Sequence, residues 1–236
     1  MRGAIIVAAG TGERFGRTDG KQMAPLAGGP MLAHTLRAFE ECAAVDTIVV
    51  VCHPDSVEEC RELVVRAVDA LKVAAIVPGG PTRRSSVAAG LAVLPRECDI
   101  VAVHDGARPL IEPGTIESAF GLLESSSVDG VVVGHPVVDT LKMTGPDARI
   151  AATVDRSGLW VAQTPQVFRT DALKRAHARA EESGREATDD AALVEDDGGA
   201  VVMLRGPRWN LKVTVPEDLE VAEALLSRRA GKGGPQ

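Results

Sequence analysis

The sequence predicts an α/β protein with a doubly wound, mostly parallel sheet and a β-arm protruding from it. Two observations predict this. Short runs rich in Val and Ile alternate with longer stretches of helical periodicity, the rhythm of strand–helix–strand units joined by right-handed crossovers. The strand candidates also lack polar alternation, as strands covered on both faces do. A chain of 236 residues, 45% hydrophobic and 25% charged, can bury about 70% of its unfolded surface, which excludes an intrinsically disordered protein.

Residues 4–8, 47–51, 74–77, 100–104 and 130–134 read as strands bounded by turn residues. Helical patterns fall near 31–41, 56–71, 85–94 and 113–125; in the first, Leu32, Leu36 and Phe39 share one face. From 137 to 160 no helical stripe is visible, and Gly145-Pro146 and Gly158 mark an extended arm or hairpin. Helices return at 170–183 and 188–196, with Thr170 and Thr188 as expected N-caps. Short strands are expected at 201–204 and 211–213. Thr214-Val215-Pro216-Glu217 then reads as a capping box opening a last helix to about Arg228. The chain reads as one domain over 1–230 carrying the arm, with a disordered tail at 231–236.

Composition removes several function classes. The net charge of −7 suits a duplex nucleic acid poorly, although a local basic pocket can still hold a phosphorylated ligand. Aromatic residues are 3% of the chain and Tyr is absent, so base-stacking platforms are not expected. The apolar runs are far too short to span a membrane. Residues 3–9 read as a first buried strand rather than a secretion signal, because they run straight into Gly10-Thr11-Gly12. Cys42, Cys52, Cys60 and Cys98 lack metal or redox spacing and read as buried thiols of a cytoplasmic protein. The five histidines likewise show no metal-ligand spacing.

In doubly wound sheets ligands bind at the carboxyl ends of the strands, and three loops there carry chemistry. After the first strand comes Ala8-Ala9-Gly10-Thr11-Gly12-Glu13-Arg14-Phe15-Gly16, then Lys21. Glycines in that position let backbone N–H groups approach an anion, and Arg14 and Lys21 add positive charge. The loop is not a dinucleotide fingerprint, since Phe15 replaces its third glycine and the ribose-binding acid is missing, which disfavours a dehydrogenase. Nor is it a Walker loop: Gly16 and Gly20 are too close, and Gln22 follows the lysine. After the third strand, Gly79-Gly80-Pro81-Thr82-Arg83-Arg84-Ser85-Ser86 leads into a helix N-terminus suited to a polar or anionic ligand. After the fourth, Asp105 of His104-Asp105-Gly106-Ala107-Arg108-Pro109 offers one carboxylate to Mg²⁺, with phosphates and waters to supply the rest.

Together these segments resemble the 2-C-methyl-D-erythritol 4-phosphate cytidylyltransferase family. The matching pieces are Ala8-Ala9-Gly10-x-Gly12-x-Arg14 with Lys21-Gln22, Gly79-Gly80-x-x-Arg83-x-x-Ser86-Val87, and Val103-His104-Asp105-x-Ala107-Arg108-Pro109. They continue with Asp139-Thr140-x-Lys142, Thr153-Val154-Asp155-Arg156-x-Gly158-Leu159-Trp160, Thr164-Pro165-Gln166, Thr188-Asp189 and Asn210-x-Lys212-Val213-Thr214, in order over nearly the whole chain. The resemblance implies a Rossmann-like sheet of the nucleotidyltransferase type. It also implies the reaction of CTP with methylerythritol 4-phosphate, giving the CDP-alcohol and pyrophosphate, with Mg²⁺ as cofactor.

Carried over residue by residue, Arg14 and Lys21 would stabilise the α-phosphate and the leaving pyrophosphate, while Arg156 and Lys212 would position the attacking phosphate. Ala8, Ala9, Gly10, Gly12, Gly79, Gly80 and Ser86 would line the nucleotide pocket, and Asp105 would bind the metal. Asp105, Arg108, Thr140, Arg156, Thr164, Thr188 and Lys212 would form or adjoin the acceptor site. The arm would cross into a second subunit of a homodimer, so that Arg156 completes the partner's site. The chain departs from the family at Gly20, where Pro is usual, at Trp209, where many relatives have Asp, and at Pro81, which removes an N–H beside the base pocket. A ribitol 5-phosphate cytidylyltransferase and a non-catalytic nucleotide-binding regulator remain open alternatives.

Overall fold

The computed structural model describes residues 1–10 and 21–232. Its centre is a seven-stranded sheet in the order β11-β7-β10-β6-β1-β4-β5. The strands are β1 (Arg2–Ala8), β4 (Thr47–Cys52), β5 (Val73–Pro78), β6 (Ile100–Asp105), β7 (Gly130–Pro136), β10 (Trp160–Arg169) and β11 (Val201–Arg205). All run parallel except β10, which is antiparallel to both β6 and β7. Two-residue strands β2 (Pro25–Leu26) and β3 (Gly29–Pro30) form a small ribbon ahead of α1 (Met31–Glu41). The next helical stretch is α2 (Val57–Glu59), π-type turns over Cys60–Val65, and α3 (Arg66–Val68). Then follow α4 (Arg83–Val93), α5 (Pro113–Glu124), α6 (Thr170–Ser183), α7 (Asp190–Asp196) and α8 (Pro216–Lys232). No described helix is long and apolar enough to cross a membrane.

The absence of polar alternation has the expected cause. Every residue of β4 and β6 is buried, because side chains of period two enter two separate cores. Ala4, Ile6, Ile48, Val50 and Ala102 face one core with Leu32, Leu36 and Phe39 of α1 and Ile116 and Phe120 of α5. Ile5, Val49, Val51, Val101 and Val103 face the other, with Val87 and Leu91 of α4 and Leu173 and Ala176 of α6. A smaller cluster of Leu26, Met31, Leu110, Val213 and Ala222 seats α8 against one end of the sheet. The four cysteines are buried and free.

The structure corrects several local readings. Strand β10 was not expected: Gln163, Thr164, Pro165 and Gln166 break its apolar pattern. Its ladder with β7 is interrupted between Ala162 and Gln166, and Pro165 falls inside that interruption, where no ladder N–H is needed. Residues 211–213 form no strand; the Val213 N–H donates instead to the Ala107 carbonyl at 2.8 Å.

Three caps also move. Arg169, not Thr170, precedes α6 without a side-chain cap, and the Thr170 hydroxyl is buried with no partner among the described residues. Asp189, not Thr188, caps α7 by accepting from the Ala192 N–H. At α8 it is Asp218, not Glu217, that folds back, accepting from the Thr214 N–H at 2.7 Å and the Val215 N–H at 3.1 Å. Helix α8 continues to Lys232, past the expected start of the tail, and residues 233–236 lie outside the described residues.

Between β7 and β10 the arm is a ribbon of β8 (Leu141–Thr144) and β9 (Ile150–Val154), antiparallel to each other. Its base is closed by the Val137 N–H donating to the Leu159 carbonyl at 2.9 Å. Apolar side chains stand open on it: Met143 is 58% and Ile150 64% exposed.

Gly90 of α4 offers a test of how closely the helix rides on the sheet. A Cβ there would lie 2.6 Å from Ile5 Cγ2 and 3.1 Å from Val51 Cγ2. Alanine gains about 1 kcal/mol of helix propensity, but overpacking of a filled core costs about 1–3 kcal/mol. Gly90→Ala is therefore expected to lower stability by about 1 kcal/mol in denaturant unfolding; a stabilised variant would show that α4 can lift off β1 without cost.

Candidate active site

The order of strands places the site. From β1 the chain winds outward to β4 and β5 on one side, then returns to β6 on the other, so a crevice opens at the carboxyl ends of β1 and β6. There lies a cleft of about 600 Å³, lined by Ala9, Gly10, Gln22, His53, the turn Gly79–Arg83, Ser86, Asp105 and Lys212, among others. That volume lies within the range of small-molecule sites.

Strand alternation separates the two alanines. Ala8 packs into the core, whereas Ala9 lines the cleft. The glycines after β5 are required by close packing as well as by any ligand. A Cβ on Gly79 would sit 2.3 Å from the Ala9 Cβ, and one on Gly80 2.3 Å from the Ser85 Oγ. Thr82 and Ser85 then form a reciprocal capping box that starts α4. The Ser86 hydroxyl accepts from the Gly80 N–H at 3.2 Å and donates to the Thr82 carbonyl at 2.9 Å. The cleft wall is thus a pinned helix N-terminus, a favourable environment for negative charge.

At the end of β6 a buried carboxylate is surrounded by cations. Lys212 Nζ lies 2.9 Å from Asp105 Oδ2, Arg83 Nε 3.4 Å from Oδ1, and Arg108 Nε 3.6 Å from Oδ2. Burial alone would push the Asp105 carboxyl up, but Lys212, Arg83 and Arg108 outweigh it and hold it well below the usual carboxylate range. Burial also opposes the charge on Arg83, yet Asp190 and Asp105 prevail and raise its pKa. For Arg108 burial wins over Asp105, and its pKa is lowered. A second buried carboxylate, Asp190, accepts from Arg83 Nη1 at 2.6 Å and from the His177 Nε2–H at 2.9 Å. Burial pushes Asp190 up, but Arg83 and His177 bring its pKa below the ordinary value. Three cations therefore face two carboxylates, an excess of positive charge beside the cleft.

Behind Asp105 a set of hydrogen bonds holds the strand end. Thr164 Oγ1 accepts from the Asp105 N–H at 3.0 Å and lies 3.1 Å from His104 Nδ1. Burial lowers the His104 pKa to about 3, so its ring is neutral near pH 7. The Thr164 hydroxyl then donates to Nδ1, leaving Nε2–H for the Arg108 carbonyl at 3.4 Å. Arg108 Nη1 donates to the Asn210 carbonyl, and Asn210 Nδ2 to the Thr164 carbonyl, so Lys212 follows directly from a pinned turn.

Of the expected site residues, Ala9, Gly10, Gly79, Gly80, Ser86, Asp105 and Lys212 meet around one cleft. Arg108 and Thr164 are buried against Asp105 rather than lining it. Thr140, Arg156 and Thr188 are exposed and do not line the cleft of their own chain; the Arg156 guanidinium donates to the Val138 carbonyl. Gly12 and Arg14 lie outside the described residues, as does the side chain of Lys21, whose backbone opens a 3-10 turn over Lys21–Met23. Sequence reasoning did not assign a role to Arg83, Asp190 or Gln22, whose Oε1 is buried in the cleft wall with no partner among the described residues. Arg83 stood inside a quoted motif and Asp190 directly after one, but nothing in spacing links residues 107 positions apart.

No group of three or more His, Cys, Asp or Glu side chains among the described residues is arranged to hold a metal ion. Asp105 offers one carboxylate, a hard oxygen ligand kept ionised by its neighbours, which fits the single protein ligand that Mg²⁺ takes when phosphates complete its shell.

Comparison with known proteins agrees with this architecture. The model of the IspD family, 2-C-methyl-D-erythritol 4-phosphate cytidylyltransferase, matches residues 3–228. The chain is 44% identical over 229 residues to the 2-C-methyl-D-erythritol 4-phosphate cytidylyltransferase of Pelotomaculum thermopropionicum, covering 97% of this chain and 95% of that one. It is 46% identical over 227 residues to the protein of the same name from Symbiobacterium thermophilum, covering 96% and 93%. Among solved structures, 4-diphosphocytidyl-2C-methyl-D-erythritol synthase from Anaerococcus prevotii superposes with a TM-score of 0.83 at 27% identity, over 97% of this chain and 96% of that one. The Thermus thermophilus 2-C-methyl-D-erythritol 4-phosphate cytidylyltransferase gives 0.79 at 31%, over 96% and 100%. The chain belongs to the 2-C-methyl-D-erythritol 4-phosphate cytidylyltransferase family.

Proposed function

We propose that this chain transfers the cytidylyl group of CTP to 2-C-methyl-D-erythritol 4-phosphate, releasing pyrophosphate, in the cytoplasm. The observation that carries the reading is the cleft at the switch point, where an ionised Asp105 is held by Lys212, Arg83 and Arg108 in a chain of this family. A phosphate oxygen of the acceptor attacks the α-phosphorus of CTP, the bond to the bridging oxygen breaks, and pyrophosphate leaves with the electron pair. The nucleophile is already an anion, so no general base is required. The catalyst's task is to bring two anions together and to stabilise charge as it builds.

The residues of this chain divide that task. The pinned N-terminus of α4, with the Gly79-Gly80 turn and Ser86, receives the nucleotide against Ala9 and Gly10. Lys212, next to Asp105 and at the rim of the cleft, is placed to turn its ammonium to an incoming phosphate. Arg14 and Lys21, by the family pattern, face the α-phosphate and the leaving group. Asp105 would hold Mg²⁺, which when bound neutralises phosphate charge.

The acceptor side of the reading needs a second copy. Thr140 and Arg156 stand on an arm that leaves its own cleft, and the exposed Met143 and Ile150 on that arm are apolar surface that a partner would cover. The proposal is a homodimer in which each arm carries Arg156 to the other's site.

Incubation with CTP, Mg²⁺ and a panel of acceptors should release pyrophosphate with methylerythritol 4-phosphate. Release with ribitol 5-phosphate alone would replace the acceptor assignment, and CTP binding without turnover on any acceptor would mark a regulator. Lys21→Ala is expected to lower turnover by about 10²–10³-fold; a loss below threefold would remove Lys21 from the phosphates. Arg156→Ala should raise the KM for the acceptor far more than that for CTP. Mixing it with Lys21→Ala should restore part of the activity, and no recovery after proven subunit exchange would rule out arm crossing.

A further inference from the structure

We propose that Asp190 and His177 are positioning residues for nucleotide binding, acting on the cleft through Arg83. The proposal rests on the reading of the cleft as a CTP site, and it concerns two residues that take no part in the reaction itself. His177 of α6 donates to Asp190 Oδ1 at 2.9 Å, and Arg83 Nη1 donates to Asp190 Oδ2 at 2.6 Å. Arg83 Nε reaches on to Asp105 Oδ1 at 3.4 Å, and Lys212 Nζ holds the other oxygen of Asp105. The result is a continuous line from α6, through the start of α7 and the start of α4, to the floor of the cleft. Only Arg83, Asp105 and Lys212 of that line touch the cleft; Asp190 is 1% and His177 5% exposed.

Three features favour positioning over plain structural support. A buried carboxylate is costly and gives weak stability in return compared with apolar packing, so its retention calls for a reason. Asp190 is not needed as a helix cap, because its neighbour Asp189 caps α7, accepting from the Ala192 N–H and from Gln166 Nε2. Finally, Arg83 Nη2 is buried beside the cleft with no partner among the described residues. An arginine kept only to hold two helices together would settle with its donors paired. Here its plane is fixed instead by two carboxylates on different elements, which aims the first residue of α4 at Asp105 beside the nucleotide turn.

The test uses calorimetric CTP binding in Mg²⁺ together with steady-state kinetics for each substrate. Asp190→Asn keeps the shape and removes the charge. It should weaken CTP binding about 10-fold or more and raise the KM for CTP, with the acceptor KM changed less than twofold. His177→Leu should do the same to a smaller extent, and His177→Gln, which can still donate to Asp190, should recover most of the loss. In an Arg83→Gln background, Asp190→Asn should have no further effect on CTP affinity, because its path is already cut. Variants that melt earlier yet bind CTP as the parent does would overturn the proposal, as would additive losses in the double variant. Should Asp190→Asn fail to fold, the His177 pair carries the same comparison. Binding is read without turnover, so failure of the acceptor assignment would leave the outcome distinct.

Discussion

The structure turns on one buried carboxylate. Asp105 ends the strand beside the switch point, and three cations from three different parts of the chain converge on its two oxygens. Leaving such a charge unpaired inside a protein costs several kcal/mol, so whatever holds those cations in place holds the site. Lys212 is fixed because Val213 is bonded to Ala107 and buried in the small cluster under α8. Arg83 is fixed because Thr82 caps its helix and Asp190 takes its other face. Arg108 lies three residues from Asp105 and is tied to the Asn210 carbonyl. Each anchor belongs to the fold, yet each ends at the same pair of oxygens.

This arrangement explains why an acidic chain can receive a triphosphate. The net charge of −7 is spread over the whole sequence, whereas the cleft wall concentrates cations and a helix N-terminus. Ligand recognition depends on the local field, which is focused by low-dielectric walls, and not on the sum over the surface. A nucleophile–histidine pair is not needed, because the attacking phosphate is already ionised. His104 is beside Asp105, but its ring is neutral and spent on Thr164 and the Arg108 carbonyl, so it supports the carboxylate's backbone instead of moving protons.

Legibility followed physics rather than position along the chain. The parallel strands were readable because burial on both faces removes polar alternation, a signal carried within five or six residues. The glycine turns and Asp105 were readable because strand ends in such sheets are where ligands sit. The arm at 137–160 was visible through a lost helical stripe and its Gly-Pro turn. Strand β10 was hidden because Gln163, Thr164 and Gln166 are polar for tertiary reasons: each side chain bonds a distant segment. The caps at Thr170 and Thr188 were misplaced by one residue for a related cause. Asp189, the better acceptor, was available next door, and Thr170 was drawn inside the fold.

That hidden strand is also what joins the two halves of the site. β10 runs antiparallel between β6 and β7, so its polar residues reach elements that a purely parallel sheet would keep apart. Thr164 accepts the Asp105 N–H on one side, while Gln166 holds Asp189 and the Ala191 N–H at the start of α7 on the other. Asp105 and Asp190 are therefore set by the same strand, through Thr164 and Gln166 two residues apart, and Arg83 bridges them from a third element. A rigid bridge of this kind makes the geometry of the cleft depend on α6 and α7, which never touch it. The polar interruption that obscured β10 in the sequence is the feature that couples the nucleotide turn to the rest of the fold.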